Sequence, residues 1–130
     1  MLAGAAASPA AAAGADRRAA PGLAPVVVHL TQAPTIAVNS ALGNDFRVTL
    51  TGNCTMGNPS LPLDGEKIDF QITQGAGGPF TVTWGNAYHF PEDHPRPVLS
   101  TTAGRTDLLG FIYNAAKAKW LFAGFMKGFS

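Results

Sequence analysis

The clearest alternation of apolar and polar residues in this chain runs from Glu66 to Trp84. In its first half, every second position is apolar, at Ile68, Phe70 and Ile72. In its second half, the same spacing recurs at Phe80, Val82 and Trp84. A period of two is typical of β-strands with one buried and one solvated face. Because a short glycine-rich segment joins the two runs, the pattern predicts a central β-hairpin.

Further runs of strand-forming residues precede and follow this segment. They occur at Val26–Leu30, Thr35–Val38, Asp45–Thr51 and Val98–Thr102. A second hairpin is predicted from Thr106–Asn114 and Lys119–Met126, which are joined by a short turn around Ala115-Ala116-Lys117. No amphipathic helical stripe follows residue 26. Short strands separated by turn signals predict an all-β domain over residues 26–130, an antiparallel β-sandwich or jelly roll.

In the last two predicted strands, both the odd and the even positions are apolar, unlike in the central strands. A strand that is apolar on both faces is covered on both faces, whereas one face of each sheet in a small sandwich is normally wet. The surplus residues therefore predict a subunit interface, formed by Leu108, Ile112, Leu121, Phe125 and Phe129. The alternative is that loops or the N-terminal segment of the same chain cover this face.

Residues 1–25 form a separate compositional block. About half of them are alanine, and glycine, proline and serine make up most of the rest. Large apolar residues that could form a core stripe are nearly absent from this block. We interpret it as an extended N-terminal arm that becomes ordered against a partner, the alternative being a dispensable tail. No basic region precedes its alanines, and no stretch of the chain is long and apolar enough to span a membrane.

Charge and cysteine content narrow the class of protein. Only 13% of the residues are charged and the net charge is +1, so nothing in the composition favours nucleic-acid binding. A surface with so few charges is often partly hidden between subunits. The single cysteine, Cys54, excludes an intrachain disulfide and a cysteine-based metal site. We interpret Cys54 as a small buried residue.

One cluster of potential metal or acid–base groups occurs in the proline-rich segment after Trp84. It comprises His89, Glu92, Asp93 and His94. Imidazoles and carboxylates can ligate zinc or manganese, but this spacing matches no metal motif. No nucleophile motif accompanies the cluster. The preferred interpretation is a solvated loop, with no catalytic residues, no metal and no cofactor.

Three aromatic residues near this segment could stack against sugar rings. Trp84 is in phase with Phe80 and Val82, so we assign it to the core. Tyr88 and Phe90 have no such assignment, and they are the candidate contacts if the protein binds a glycan.

Several short motifs, in order, resemble those of a small β-sandwich module found in virion proteins of tailed bacteriophages. The motifs are Val48-Thr49-Leu50-Thr51-Gly52-Asn53, Asn58-Pro59, Asp64-Gly65, Thr81-Val82-Thr83-Trp84-Gly85, Leu99-Ser100-Thr101-Thr102-Ala103-Gly104 and Lys119-Trp120. The likeness covers about residues 45–123. It implies a structural, often trimeric, particle component with no catalytic residues. Such modules occur at the ends of tail and head fibres and in capsid decoration proteins.

The module makes up nearly the whole chain, which favours a capsid decoration (cement) protein over a long fibre. Its expected partners are the major capsid protein and further copies of itself, as a homotrimer on the capsid surface of the virion. The residues expected to contact the capsid are Leu23, Pro25, Val26, Val27 and Val28. The alternative is a fibre tip that binds a host receptor or glycan through Tyr88 and Phe90. Neither a membrane nor a nucleic acid is an expected partner.

Overall fold

A computed structural model describes residues 25–130 of the chain, and this region contains strands and turns but no helix. The predicted all-β class is therefore confirmed. The strands are β1 (Val27–His29), β2 (Thr35–Ile36), β3 (Asp45–Leu50), β4 (Cys54–Met56), β5 (Lys67–Gln74), β6 (Val82–Trp84), β7 (Tyr88–His89), β8 (Thr106–Asn114) and β9 (Lys119–Phe129). The predicted arm of residues 1–25 lies outside the described residues except for its last member, Pro25.

The described strands form two sheets of mixed composition. The larger has the order β1-β3-β5-β8-β9-β7, and the smaller has the order β2-β4-β6. Only β5–β8 and β8–β9 are antiparallel, and every other neighbouring pair is parallel. The prediction of an antiparallel architecture is therefore wrong for most pairs, although the β8–β9 hairpin is confirmed.

The parallel pairs arise because the first six strands alternate between the two sheets. From β1 to β6, each odd strand enters the larger sheet and each even strand enters the smaller one. A strand thus lies beside the strand two places earlier and runs in the same direction. The alternation predicted correctly which residues are buried, but it could not distinguish a hairpin from this coiled path.

The predicted central hairpin is wrong for the same reason, since β5 and β6 belong to different sheets. The Gln74 side chain directs the chain from one sheet to the other and is only 3% exposed. Its Nε2 donates to the carbonyl oxygen of Phe80 at 2.7 Å, and its Oε1 accepts from the Phe80 N–H at 3.0 Å. Both amide atoms of a buried glutamine are thereby satisfied, and the backbone of Phe80 is held next to Gln74, the last residue of β5.

The core is built from side chains that lie in register across each sheet. In the larger sheet, Phe46, Phe70 and Leu109 occupy neighbouring positions of β3, β5 and β8. In the smaller sheet, the corresponding row is Ile36, Met56 and Trp84. All six are buried. The rings of Phe70 and Trp84 meet edge to face at 5.6 Å, so Trp84 is a core residue, as predicted.

Gly75, which follows β5, is held against β3 by close backbone contact. Its N–H donates to the carbonyl oxygen of Leu50 at 3.0 Å, and a Cβ at this position would collide with that same oxygen. Gly75→Ala is therefore expected to lower the free energy of unfolding by about 1–3 kcal/mol, as measured by urea denaturation. Gly52→Ala is the matched control, because a Cβ there meets nothing within 4 Å. Equal effects of the two variants would contradict this account.

Candidate interaction surface

The outer face of the larger sheet, the side turned away from the core, carries an apolar region on β8 and β9. Leu109 and Phe111 of β8 are buried, so the alternating residues Leu108, Gly110 and Ile112 lie on the outer face. Opposite them in β9 lie Met126, Gly124 and Leu121, with Phe129 opposite Thr106. Three of the apolar side chains are markedly exposed: Ile112 by 36%, Met126 by 59% and Phe129 by 52%.

Four of the five predicted interface residues lie on this face: Leu108, Ile112, Leu121 and Phe129. The placement of Phe125 is wrong, because it pairs with the inward-facing Leu109 and packs against the core. The cause is a register shift between Phe122 and Gly124, which reverses the parity of the strand. Met126 takes the outward position instead, and the sequence analysis missed it. The adjacent small residues Ala123 and Gly124 were the only local signal of an irregularity.

The other half of the outer face is polar and carries a carboxylate pair. Asp45 and Arg47 form a bidentate ion pair, with Arg47 Nη2 2.8 Å from Asp45 Oδ2 and Nε 3.1 Å from Oδ1. The hydrogen bond to Asp45 raises the pKa of Arg47. Beside Asp45, burial and then the charge of Asp45 raise the pKa of Asp69. Among residues 25–130, no cation forms an ion pair with Asp69.

The N-terminal edge of the larger sheet is formed by β1, which pairs with β3 on one side. Of the predicted capsid contacts, Pro25 is exposed, Val27 is 40% exposed, and Val26 and Val28 are half-buried. Leu23 lies outside the described residues. Next to this edge, a groove of about 400 Å³ is lined by residues from β1, β2 and the segments around them, including Val28, Leu30, Ala37 and Leu42.

Neither residue of the predicted glycan contact offers a free ring. Tyr88 is 2% exposed, its hydroxyl donates to the carbonyl oxygen of Gly57 at 2.8 Å, and burial raises its pKa. The prediction that Tyr88 contacts a glycan is therefore wrong. Phe90 is half-buried against Trp84 and Phe122, and the Arg96 guanidinium lies 4.9 Å above its ring centre.

The candidate metal and acid–base residues do not form a site in the described region. His94 and Asp93 are exposed, and His94 Nε2 lies 3.9 Å from Asp93 Oδ2. From residue 25 onward, no three His, Cys, Asp or Glu side chains are placed to hold a metal ion together. Cys54 is buried, as predicted, and burial raises the pKa of its thiol. The described residues also contain no helix long and apolar enough to cross a membrane.

No family model, no curated protein and no solved structure matches this chain. The chemistry of its surfaces and the residues that carry the sequence resemblance are therefore what indicates its function.

Proposed function

We propose that this protein is a structural component of a tailed-bacteriophage particle, a cement protein that decorates the outer surface of the capsid. The observation that carries the proposal is the exposed apolar face of β8 and β9, which includes Ile112, Met126 and Phe129. Exposed apolar side chains concentrated on one face are typical of a protein that functions in an assembly. The role requires binding and self-association, and it assigns no catalytic residue and no cofactor.

The domain in this proposal is a compact β-sandwich. Rings from the two sheets pack against one another, as when Trp84 of the smaller sheet approaches Phe70 and Phe111 of the larger one at 5.6 and 5.4 Å. Sheets whose inner side chains interdigitate in this way form the core of a sandwich. A rigid domain of this kind would present its outer face and its strand edges in fixed positions.

The contact with the major capsid protein is assigned to the N-terminal edge. Strand β1 pairs with β3 on one side, and no other strand of residues 25–130 pairs with its second edge. A strand or loop of the shell would pair with this edge. Val27 is exposed at this edge, and Pro25, the first described residue, is exposed two positions before it. Leu23, Pro25, Val26, Val27 and Val28 are the proposed contact residues. Residues 1–25 would extend this contact along the shell.

Self-association is the second part of the proposal. The sequence resemblance implies a homotrimer, and the apolar residues on the outer face favour contact between copies. A protein that binds only the assembled shell stabilises it by mass action, by about 2.7 kcal/mol per site at a free concentration 100-fold above Kd. Several linked copies would also bind with a higher effective concentration than single ones.

The test is binding to DNA-free shells of the phage that encodes the chain. The full chain is expected to sediment with the shells and to raise their melting temperature, and deletion of residues 1–25 is expected to weaken both effects. Circular dichroism of the deletion variant should show an intact β-sheet signal. If the deletion changes nothing, the arm has no role. If the full chain does not bind shells at all, the cement function is wrong.

The alternative function, a fibre tip that binds a receptor or glycan, is tested in the same series. Binding to host cells or to a glycan array, without binding to shells, would favour it. The buried position of Tyr88 and the packing of Arg96 over the half-buried Phe90 count against a glycan contact through these two residues.

A further inference from the structure

Two adjacent rows of side chains cross the outer face of the larger sheet at right angles to its strands. The strand register places Met126, Leu108, Gln71 and Arg47 in one row. The neighbouring row consists, in the same strand order, of Gly124, Gly110, Asp69 and Asp45. We call the first row the ridge and the second the trough. The ridge runs from apolar residues to an amide and a cation, and the trough runs from glycines to two carboxylates.

Nothing in the fold of residues 25–130 requires the two glycines of the trough. Neither has a positive φ. A Cβ at Gly124 would meet nothing within 4 Å, and one at Gly110 would meet only the end of the Asp69 side chain, at 3.1 Å. Glycine in the interior of a strand lowers its stability and often marks the close approach of another backbone or ligand. The paired glycines therefore leave space that no residue from 25 to 130 fills.

We propose that this face binds a second copy of the same chain around a two-fold axis, with the ridge of each copy in the trough of the other. The proposed axis runs parallel to the two rows and midway between them. A rotation of 180° about this axis places the ridge of one copy over the trough of the other, and both rows still run from β9 to β3. Met126 and Leu108 of one copy then lie over the glycines of the other. Gln71 and Arg47 lie over Asp69 and Asp45. One face is thus complementary to itself, as a two-fold interface requires.

Charge complementarity identifies a second copy as the occupant. Asp69 is partly buried, has a raised pKa and forms no ion pair with any residue from 25 to 130. The facing ridge would bring to this carboxylate the Nε2 donor of Gln71, which is held only at 3.4–3.5 Å from Asp45 in its own chain. The Arg47 guanidinium would join the neighbouring Asp45 in a shared network.

The same axis also covers the remaining exposed apolar residues. On one side of the trough lies the row of Leu121, Ile112 and Lys67, and beyond the ridge lies the row of Phe129, Thr106 and Thr73. The two-fold operation exchanges these outer rows, so that Leu121 of one copy packs on Phe129 of the other. Met126, Leu108, Ile112, Leu121 and Phe129 all become covered, which is the main source of binding free energy.

This inference deepens the self-association in the proposed function, and it depends on that association but not on binding to a shell. It also differs from the trimer that the sequence resemblance implies. The mass of the purified protein and its binding to shells therefore test separate claims. A dimer that does not bind shells would support this interface and overturn the cement function.

The test is sedimentation equilibrium of the full chain, from about 1 to 100 μM. The expected mass is twice the 13.4 kDa of one chain. Gly124→Val, which fills the trough, is expected to weaken dimerisation by at least about tenfold, a loss of about 1.4 kcal/mol. At high dilution, where the protein is monomeric, the melting temperature of this variant should be no lower than that of the unchanged chain. The reason is that a Cβ at position 124 meets no described residue within 4 Å and that valine favours strands. Gly52→Val is the matched control and should leave the dimer intact.

A second variant tests the polar half of the interface. Asp69→Lys would replace the carboxylate beneath Gln71 of the other copy by a cation and bring that cation close to Arg47 of the same copy. It is expected to weaken dimerisation to a similar extent while the fold is retained. A monomer at 100 μM, a trimer, or a dimer that withstands Gly124→Val would each overturn the proposed interface. If Gly124→Val disrupts the dimer but Asp69→Lys does not, the placement of the ridge of one copy in the trough of the other is wrong.

Discussion

Asp107→Ala is expected to lower the free energy of unfolding by about 3–5 kcal/mol, because it leaves several buried donors without an acceptor. The Asp107 carboxylate is 1% exposed. Oδ2 accepts from the Ser100 N–H at 2.6 Å, and Oδ1 accepts from the Ser100 hydroxyl at 2.7 Å and from the Gly128 N–H at 2.9 Å. One side chain thereby ties the segment before β8 and the end of β9 to the sheet. The measurement is urea denaturation followed by circular dichroism.

Two controls separate the hydrogen bonds from the change in charge. Asp107→Asn keeps the size of the side chain and one carbonyl acceptor, so about half of the loss is expected. Asp93→Ala removes an exposed carboxylate, and the expected change is below about 0.5 kcal/mol. A loss of less than about 1 kcal/mol for Asp107→Ala would show that Ser100 and Gly128 find other acceptors.

Phe70→Ala is expected to cost about 3–5 kcal/mol through the cavity that it leaves. Phe70 has no exposed surface, and its ring lies within 5.6–5.9 Å of four other rings, those of Phe46, Trp84, Tyr88 and Phe111. These contacts join the two sheets, including the edge strand β7 of the larger sheet, around one side chain. A domain of this size is typically stable by 5–15 kcal/mol, so this variant should lose a large part of its stability.

Phe129→Ala is the matched control, because it makes the same chemical change at a residue that is 52% exposed. Measured at high dilution, where copies are separated, its expected cost is below about 1 kcal/mol. A similar loss for both variants would contradict the assignment of Phe70 to the centre of the core. If Phe129→Ala lowers the stability much more at high protein concentration than at high dilution, the difference measures the loss of the contact between copies.

A repeated motif in the sequence could have indicated the coiled path of the chain. Met56-Gly57-Asn58 and Trp84-Gly85-Asn86 occupy equivalent positions at the ends of β4 and β6. The Gly57 N–H donates to the Ile36 carbonyl at 2.9 Å, and the Gly85 N–H donates to that of Met56 at 3.0 Å. Asn58 Nδ2 also donates to Asn86 Oδ1 at 2.8 Å. Successive coils thus bond through the same residue types, and internal repeats are the sequence signature of such stacking.

The candidate surface could be predicted only in part. The apolar residues at both parities of β8 and β9 indicated a second contact face, and four of the five residues assigned to it lie there. The irregularity after Phe122 shifted the rest of β9 by one position, turning Phe125 inward and Met126 outward. The ridge and trough could not be predicted, because each row draws its residues from four strands whose register is set by backbone pairing across the sheet.

The sequence by itself determined which residues of the alternating strands β3 and β5 face the core, because the alternation of side chains along a strand is a local property of the backbone. It did not do so for β9, where a register shift turns Phe125 inward. It also determined the all-β class and the β8–β9 hairpin, since strand propensity and a short turn act over a few residues. Only the tertiary structure decided which strands are neighbours, in which direction they run and which rows they form. Those choices depend on contacts between residues far apart in the chain, such as Gly75 with Leu50 and Asp107 with Gly128, which no local pattern encodes.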